Sequence, residues 1–230
     1  MNAIPDAAAA RGWTVVIPIK APATGKTRLS PAVADAARAD LARAFALDTI
    51  AAARAAASVG RVIVVGDDPE LADGAEFLAE PGAPGGPASA HAPVERGLLP
   101  AIRHGIGHAR ADAPVAVAVL LGDLPGLRPE ELDRALEGAA RHPLAFVRDA
   151  DGTGTTLATA ASGVAFEPRF GPGSAERHAA AGFVELAASD APGLTRDVDT
   201  VDGLETVLHH GVGDHTAEAV ARLADRKGTT

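Results

Sequence analysis

VAVAVLLGDLPGL, residues 115–127, is the stretch on which the fold turns. Seven apolar residues run unbroken from Val115 to Leu121, and Gly122, Asp123, Leu124, Pro125 and Gly126 follow as a polar turn. A short apolar run, partly β-branched and bounded by turn residues, predicts a fully buried strand. In a parallel sheet, ligands bind beyond the C-terminal ends of the strands, and Asp123 stands at such an end. A carboxylate placed there costs folding free energy unless something pairs with it. A divalent metal is one such partner, because hard cations take oxygen ligands. A turn aspartate before a Pro-Gly corner is the other reading, and this stretch alone leaves both open.

The flanking sequence repeats a strand–helix rhythm. Residues 13–19, WTVVIPI, predict a first strand, and residues 61–65, RVIVV, a second. Between them residues 33–59 carry Leu41, Phe45, Leu47 and Ile50 at helical spacing, which predicts a helix with one buried face. Phe77 and Leu78 suggest a short strand, residues 81–93 a Gly/Pro-rich loop, and residues 95–110 a helix. A helix is expected from Pro129 to about Ala140, with proline in its first turn. Residues 144–148, LAFVR, predict another strand, and residues 183–186 a further short one. This alternation implies an α/β fold with a mostly parallel sheet between helices. Residues 1–12 read as a leader, 13–222 as the domain and 223–230 as a disordered tail.

Bulk properties exclude several classes. The chain has 230 residues, a net charge of −9 and no long basic run, which argues against a nucleic-acid surface. It has no cysteine, so thiolate metal sites and cysteine nucleophiles are out. No apolar run approaches a membrane span. The N-terminus lacks a basic-then-apolar signal pattern, so a cytoplasmic protein is the default.

Candidate chemistry clusters in four places. After the first strand comes KAPATGKTRL, residues 20–29, which looks like a Walker phosphate loop. Its leading glycine is replaced by Lys20, and Pro22 stiffens it, so an ATPase or kinase is rejected. Phosphate binding is not, because Lys20, Lys26 and Arg28 together suit a polyphosphate in an otherwise acidic chain. DGTGTT, residues 151–156, and FGPGS, residues 170–174, combine glycines with small hydroxyls, as an anion site requires. Ser174 is expected to cap the helix that follows, whose N-terminus would favour an anion. In RDVDTVD, residues 196–202, alternation aims Asp197 and Asp199 to one side of an extended segment. They would supply further oxygen ligands beside Asp123, a set that suits magnesium. Thr200 is expected to cap the next helix, with Asp202 in its first turn. Asp67 and Asp68 read as an ordinary turn and helix start. His104 and His108, one turn apart, read as a solvated helix face rather than a metal site.

With these pieces placed, the chain resembles the 2-phospholactate/phosphoenolpyruvate guanylyltransferases that act in making the deazaflavin coenzyme F-420. The resemblance spans about residues 13–209 and rests on VIPIKAPATGKTRL, GDLPGL, DGTGTT, RFGPGSAERHAAAG and RDVDTVDGL. It implies a single-domain, Rossmann-like (GT-A-like) nucleotidyltransferase. Lys26 and Arg28 would hold the triphosphate of GTP, with Lys20 nearby. Asp123, Asp197 and Asp199 would hold Mg2+, and Lys26, Arg28 and Asp123 would be the catalytic set. Thr156, Gly171 and Ser174 would grip the phospho-acid, phosphoenolpyruvate or 2-phospholactate. A homodimer stays open. One departure stands out: the family usually carries Gly-Leu-Asn-Ala-Ala where this chain has Gly97-Leu98-Leu99-Pro100-Ala101, near the expected base pocket. A sugar-phosphate, polyol-phosphate or molybdopterin nucleotidyltransferase is the alternative enzyme. A catalytically silent nucleotide-binding protein of the same fold is the alternative outside catalysis.

Overall fold

A computed structural model describes residues 12–19, 35–82 and 97–228. Its centre is one seven-stranded sheet in the order β3-β2-β1-β4-β6-β5-β7. The strands are β1 (Trp13–Pro18), β2 (Val59–Gly66), β3 (Glu76–Ala79), β4 (Val117–Leu120), β5 (Leu144–Arg148), β6 (Thr155–Ala160) and β7 (Val184–Glu185). β1 runs parallel to both β2 and β4, β3 is parallel to β2, and β7 to β5. β6 lies antiparallel to β4 and β5, so among the described strands it is the one reversed in a mostly parallel sheet.

The opening stretch becomes β4, with every residue buried. Its pairing continues past the strand, since the Leu121 N–H donates to the Thr156 carbonyl at 3.0 Å. Strand alternation divides the core in two. Val15, Ile17, Val64, Ala118 and Leu120 face one side, with Ile50, Leu132 and Leu136. Those last three lie on α1 (Asp35–Ala55) and α3 (Pro129–Ala139). Val16, Ile63, Val65, Val117 and Val119 face the other side, against Ile102 and Ile106 of α2 (Leu98–Ala109). Continuous apolar strands are what a sheet covered on both faces needs.

α1 has a second apolar contact that the sequence did not foretell. Leu41 and Phe45 pack with Val198, Val207 and Ala219 in a separate cluster. This cluster joins α1 to α6 (Val201–His210) and α7 (Asp214–Gly228), which follow the short α5 (Pro192–Thr195). Asp48 of α1, buried, accepts the N–H groups of His215 and Thr216 at 3.1 and 2.9 Å, satisfying the first turn of α7. α7 stays helical to Gly228, through residues where the sequence suggested a loose tail.

The chain steps from β1 to β2 and β3 on one side and then returns to β4 on the other. The switch point of this sheet therefore lies between the C-terminal ends of β1 and β4, where crevices form in open α/β sheets. Two side elements read as ordinary structure. Asp68 caps a 3-10 turn at Pro69–Ala72 by accepting the Glu70 N–H at 3.0 Å. His108 bonds Glu76 at 2.6 Å across to β3.

α2 lies close to the sheet at Gly105, where an added Cβ would meet Val16 Cγ1 and come within 2.9 Å of Val65 Cγ2. Gly105→Ala is expected to destabilise the fold by about 1–3 kcal/mol through overpacking, despite alanine's better helix propensity. Urea unfolding measures this, and an unchanged midpoint would refute the close packing.

Candidate functional site

One cleft of about 580 Å³ opens at the switch point, a size usual for small-molecule sites. It is lined by Pro18 and Ile19 at the end of β1, and by Leu121, Gly122 and Asp123 beyond β4. Thr156, Gly171, Ser174, Asp197 and Asp199 complete the same wall. Every candidate site residue that falls among the described ones is thus gathered in one place. Lys20, Lys26 and Arg28 lie outside the described residues.

The corner after β4 is held by its backbone. The Leu124 N–H donates to Thr49 Oγ1 of α1 at 3.1 Å, and that hydroxyl donates to the Phe45 carbonyl at 2.8 Å. Thr49 is fully buried. The Asp123 carbonyl accepts the Val198 N–H at 3.1 Å. Val198 is fully buried among Leu41, Phe45 and Val207, so its neighbours on an extended backbone must face the opposite way. One ligand oxygen each from Asp123, Asp197 and Asp199 consequently lies within 4.8 Å of the others. All-oxygen donors at this spacing fit a hard divalent cation. Among the described residues no other group of acids and histidines converges in this way. Thr200 caps α6 by accepting the Gly203 N–H at 3.0 Å, and Asp202 sits in the first turn, as the sequence indicated.

The two Gly-rich loops differ from their sequence reading in instructive ways. In the first, the Asp149 carboxylate accepts the N–H groups of Thr153 and Gly154 at 2.9 and 2.7 Å. Those amides therefore close the loop on itself and do not face an anion. What the segment offers is Thr156, whose buried hydroxyl finds no partner within the described structure. The second loop is shaped by Arg177. Its guanidinium donates to the carbonyls of Arg169 at 2.8 Å and Phe170 at 3.3 Å, and to that of Pro172. The N–H groups of Gly171, Gly173 and Ser174 find no backbone partner among the described residues. Gly171 and Gly173 have φ of +111° and +66°, a region glycine enters without strain. The cap of α4 (Ser174–Ala180) is Gly173, not Ser174. Ser174 is the first helical residue and is buried against the cleft.

Sequence reasoning passed over three residues here. Arg177 and His178 were visible only as part of the RFGPGSAERH run, and Thr49 gave no signal beyond a polar residue inside a helix. At the apolar end of the cleft, Ala42, Ala46 and Leu98 line the wall. Leu99, where the family usually has asparagine, instead packs against the apolar cluster beneath α2.

The described lining holds five aspartates, 123, 149, 151, 197 and 199, and no lysine or arginine. The geometry is therefore a cation-ready acidic centre in a cleft that the Gly171–Ser174 loop also lines. The model of the family described as "Guanylyl transferase CofC like" matches residues 13–224. The chain belongs to this family. A phosphoenolpyruvate guanylyltransferase of Streptomyces scabiei is 49% identical, over 92% of this chain and 97% of the relative. One of Sanguibacter keddieii is 46% identical, over 92% of this chain and 85% of the relative. Among solved structures, the protein of Desulfovibrio desulfuricans G20 named as a nucleotide-diphospho-sugar transferase superposes with a TM-score of 0.63. It is 18% identical and aligns over 84% of this chain and 85% of its own. Rv0371c of Mycobacterium tuberculosis gives 0.52, also at 18% identity, over 87% and 99%. These two share the fold of this CofC-like chain, an α/β nucleotidyltransferase fold. Among its described residues no helix is long and apolar enough to cross a membrane.

His178 carries a consequence for stability. Burial pushes its pKa down to about 4, the Ser174 carbonyl opposes that shift, and the charges of Arg177 and Arg169 add to it. An unfolded histidine titrates near 6.5, so protons favour the unfolded chain. The contribution is fully present above pH ~6.5 and is lost as the pH falls towards ~4, by on the order of 3 kcal/mol in all. Urea midpoints measured across that range should fall for the wild type and fall less for His178→Asn. Parallel curves would refute it.

Proposed function

We propose that this chain transfers GMP from GTP to the phosphate of a small phospho-carboxylic acid, phosphoenolpyruvate, with release of pyrophosphate, in coenzyme F-420 biosynthesis. One observation carries the reading: an acidic centre and an amide cradle share the same cleft. The names of the close relatives supply the substrates.

In this reading an acceptor phosphate oxygen attacks the α-phosphorus of GTP. A new P–O bond forms, the bond to the bridging oxygen of the leaving pyrophosphate breaks, and the electron pair stays on pyrophosphate. The acceptor phosphate is already ionised near neutral pH, so the chain needs no strong general base. Its work is positioning and charge neutralisation.

The cleft explains why cations are required. Its described walls are acidic, and a triphosphate entering them unaided would be repelled. Mg2+ held by Asp123, Asp197 and Asp199 would offset that repulsion and stabilise charge developing on the phosphates. Lys20, Lys26 and Arg28 follow in sequence directly after Ile19, which lines the cleft. We assign them to the triphosphate. Thr156, Gly171 and Ser174 would take the acceptor: a hydroxyl and free amides suit a carboxylate or phosphate, and bring no repelling charge.

Two measurements test this. Asp123→Ala should lower kcat by on the order of 100-fold or more, the usual effect of losing one preorganised charged contact, while leaving the unfolding midpoint nearly unchanged. Retained activity would sink the metal assignment. With wild type, GTP and Mg2+, pyrophosphate release should be fastest with phosphoenolpyruvate in a panel that includes 2-phospholactate, 3-phosphoglycerate and a sugar phosphate, and chelation should stop it. Release with the sugar phosphate alone, or with no acceptor, would overturn the reading.

A further inference from the structure

Filling space does not explain why residue 178 is a histidine. The ring is fully buried against Phe146, Phe170 and Phe183, with centroid distances of 5.7, 5.2 and 4.9 Å. A phenyl ring would suit that apolar cage better. Instead the two ring nitrogens make directed bonds to two segments, β6 and the chain that leads into the second Gly-rich loop. Nε2 lies 3.2 Å from the Arg169 N–H and accepts it, where the 169–174 loop begins. A neutral imidazole has a single proton, which must then sit on Nδ1. Nδ1–H donates to Thr155 Oγ1 at 3.0 Å, with the Ser174 carbonyl as a second acceptor beside it.

That assignment orients a second group. Because Thr155 Oγ1 accepts from the ring, the threonine's own proton points away from it. Thr155 is 2% exposed, lines the cleft beside Thr156, and makes no other side-chain hydrogen bond among the described residues. The neighbouring Arg177 meanwhile occupies the loop carbonyls. Two consecutive residues of α4 therefore set both the amide loop and the β6 hydroxyl.

We propose that His178 is a positioning residue for the acceptor, and that the Thr155 hydroxyl it orients is an additional hydrogen-bond donor to the bound phospho-acid. The proposal rests on the reading of this cleft as the phospho-acid site. The side-chain bonds of His178 run to Thr155 and Arg169 and not to Asp123, Asp197 or Asp199, so nucleotide binding should not depend on it.

The test is steady-state pyrophosphate release, varying phosphoenolpyruvate at saturating GTP and then GTP at saturating phosphoenolpyruvate. His178→Phe and Thr155→Val should each raise KM for phosphoenolpyruvate about tenfold, the scale of a lost hydrogen bond to a charged group. KM for GTP should stay within about twofold. His178→Asn, whose amide can replace the Nδ1 donor, and Thr155→Ser should recover most of the loss. Equal rises in both KM values, or no rise, would overturn the proposal. If His178→Phe does not fold, Thr155→Val against Thr155→Ser decides. The tautomer is read separately from the imidazole 15N shifts of the wild type, where an Nε2-protonated ring would also overturn it. A wild type inactive with every phospho-acid would remove the functional reading and this proposal together, whereas an active wild type with unchanged variants would remove this proposal alone.

Discussion

Val198 donates its N–H to the carbonyl of Asp123, and its side chain is buried among Leu41, Phe45 and Val207. Much of the cleft follows from those two facts. The hydrogen bond fixes the height of the 196–199 segment against the β4 corner. The buried valine fixes which way that segment is turned, because a one-residue slip would bury the aspartates and expose the valine. Three carboxylates repel one another, and an outside constraint of this kind helps to hold them close together. Apolar burial at Val198, worth about 1.5–3 kcal/mol for a residue of this kind, works against that repulsion.

The opposite wall is built on a different principle. No described cation faces the cleft there; Arg177 and His178 work from behind. By accepting or donating to the backbone and side chains of the loop, they decide which of its polar groups remain for a ligand. Arg177 holds the loop by its carbonyls. Asp149 does the reverse in the neighbouring loop, taking two amides and closing it. Two Gly-rich loops with similar composition therefore end with opposite roles. Acidity on one wall and donors on the other let the cleft sort charges, anions resting on amides while cations bridge to the aspartates.

The α/β class, the buried strand at β4, the mostly parallel sheet and the pairing of Asp197 with Asp199 were all legible in the residues. Each rests on local periodicity or on turn chemistry, which neighbouring residues decide. The reversal of β6 was not legible, because nothing in DGTGTTLATA distinguishes a strand entering from either end. The cap of α4 fell on Gly173 rather than Ser174 because the loop arrives in a left-handed conformation that glycine adopts and serine resists. Family membership came through the joint presence of DGTGTT and FGPGS, motifs whose individual composition also suits a hairpin.

By itself the sequence determined which residue types exist to do chemistry here: carboxylates after β4 and before α6, hydroxyls and glycines in two loops, three cations after β1, and no thiol. It also determined that apolar alternation would bury Val198 and turn its neighbours outward. Tertiary structure alone decided which groups stay available. Thr49 and Val198 reach Leu124 and Asp123 respectively from distant parts of the chain, and the pairs Arg177 with the loop carbonyls and His178 with Thr155 hold the opposite wall. The physical reason is that hydrogen-bond capacity is a property of a residue, whereas a free donor is what remains after every nearby partner has been satisfied.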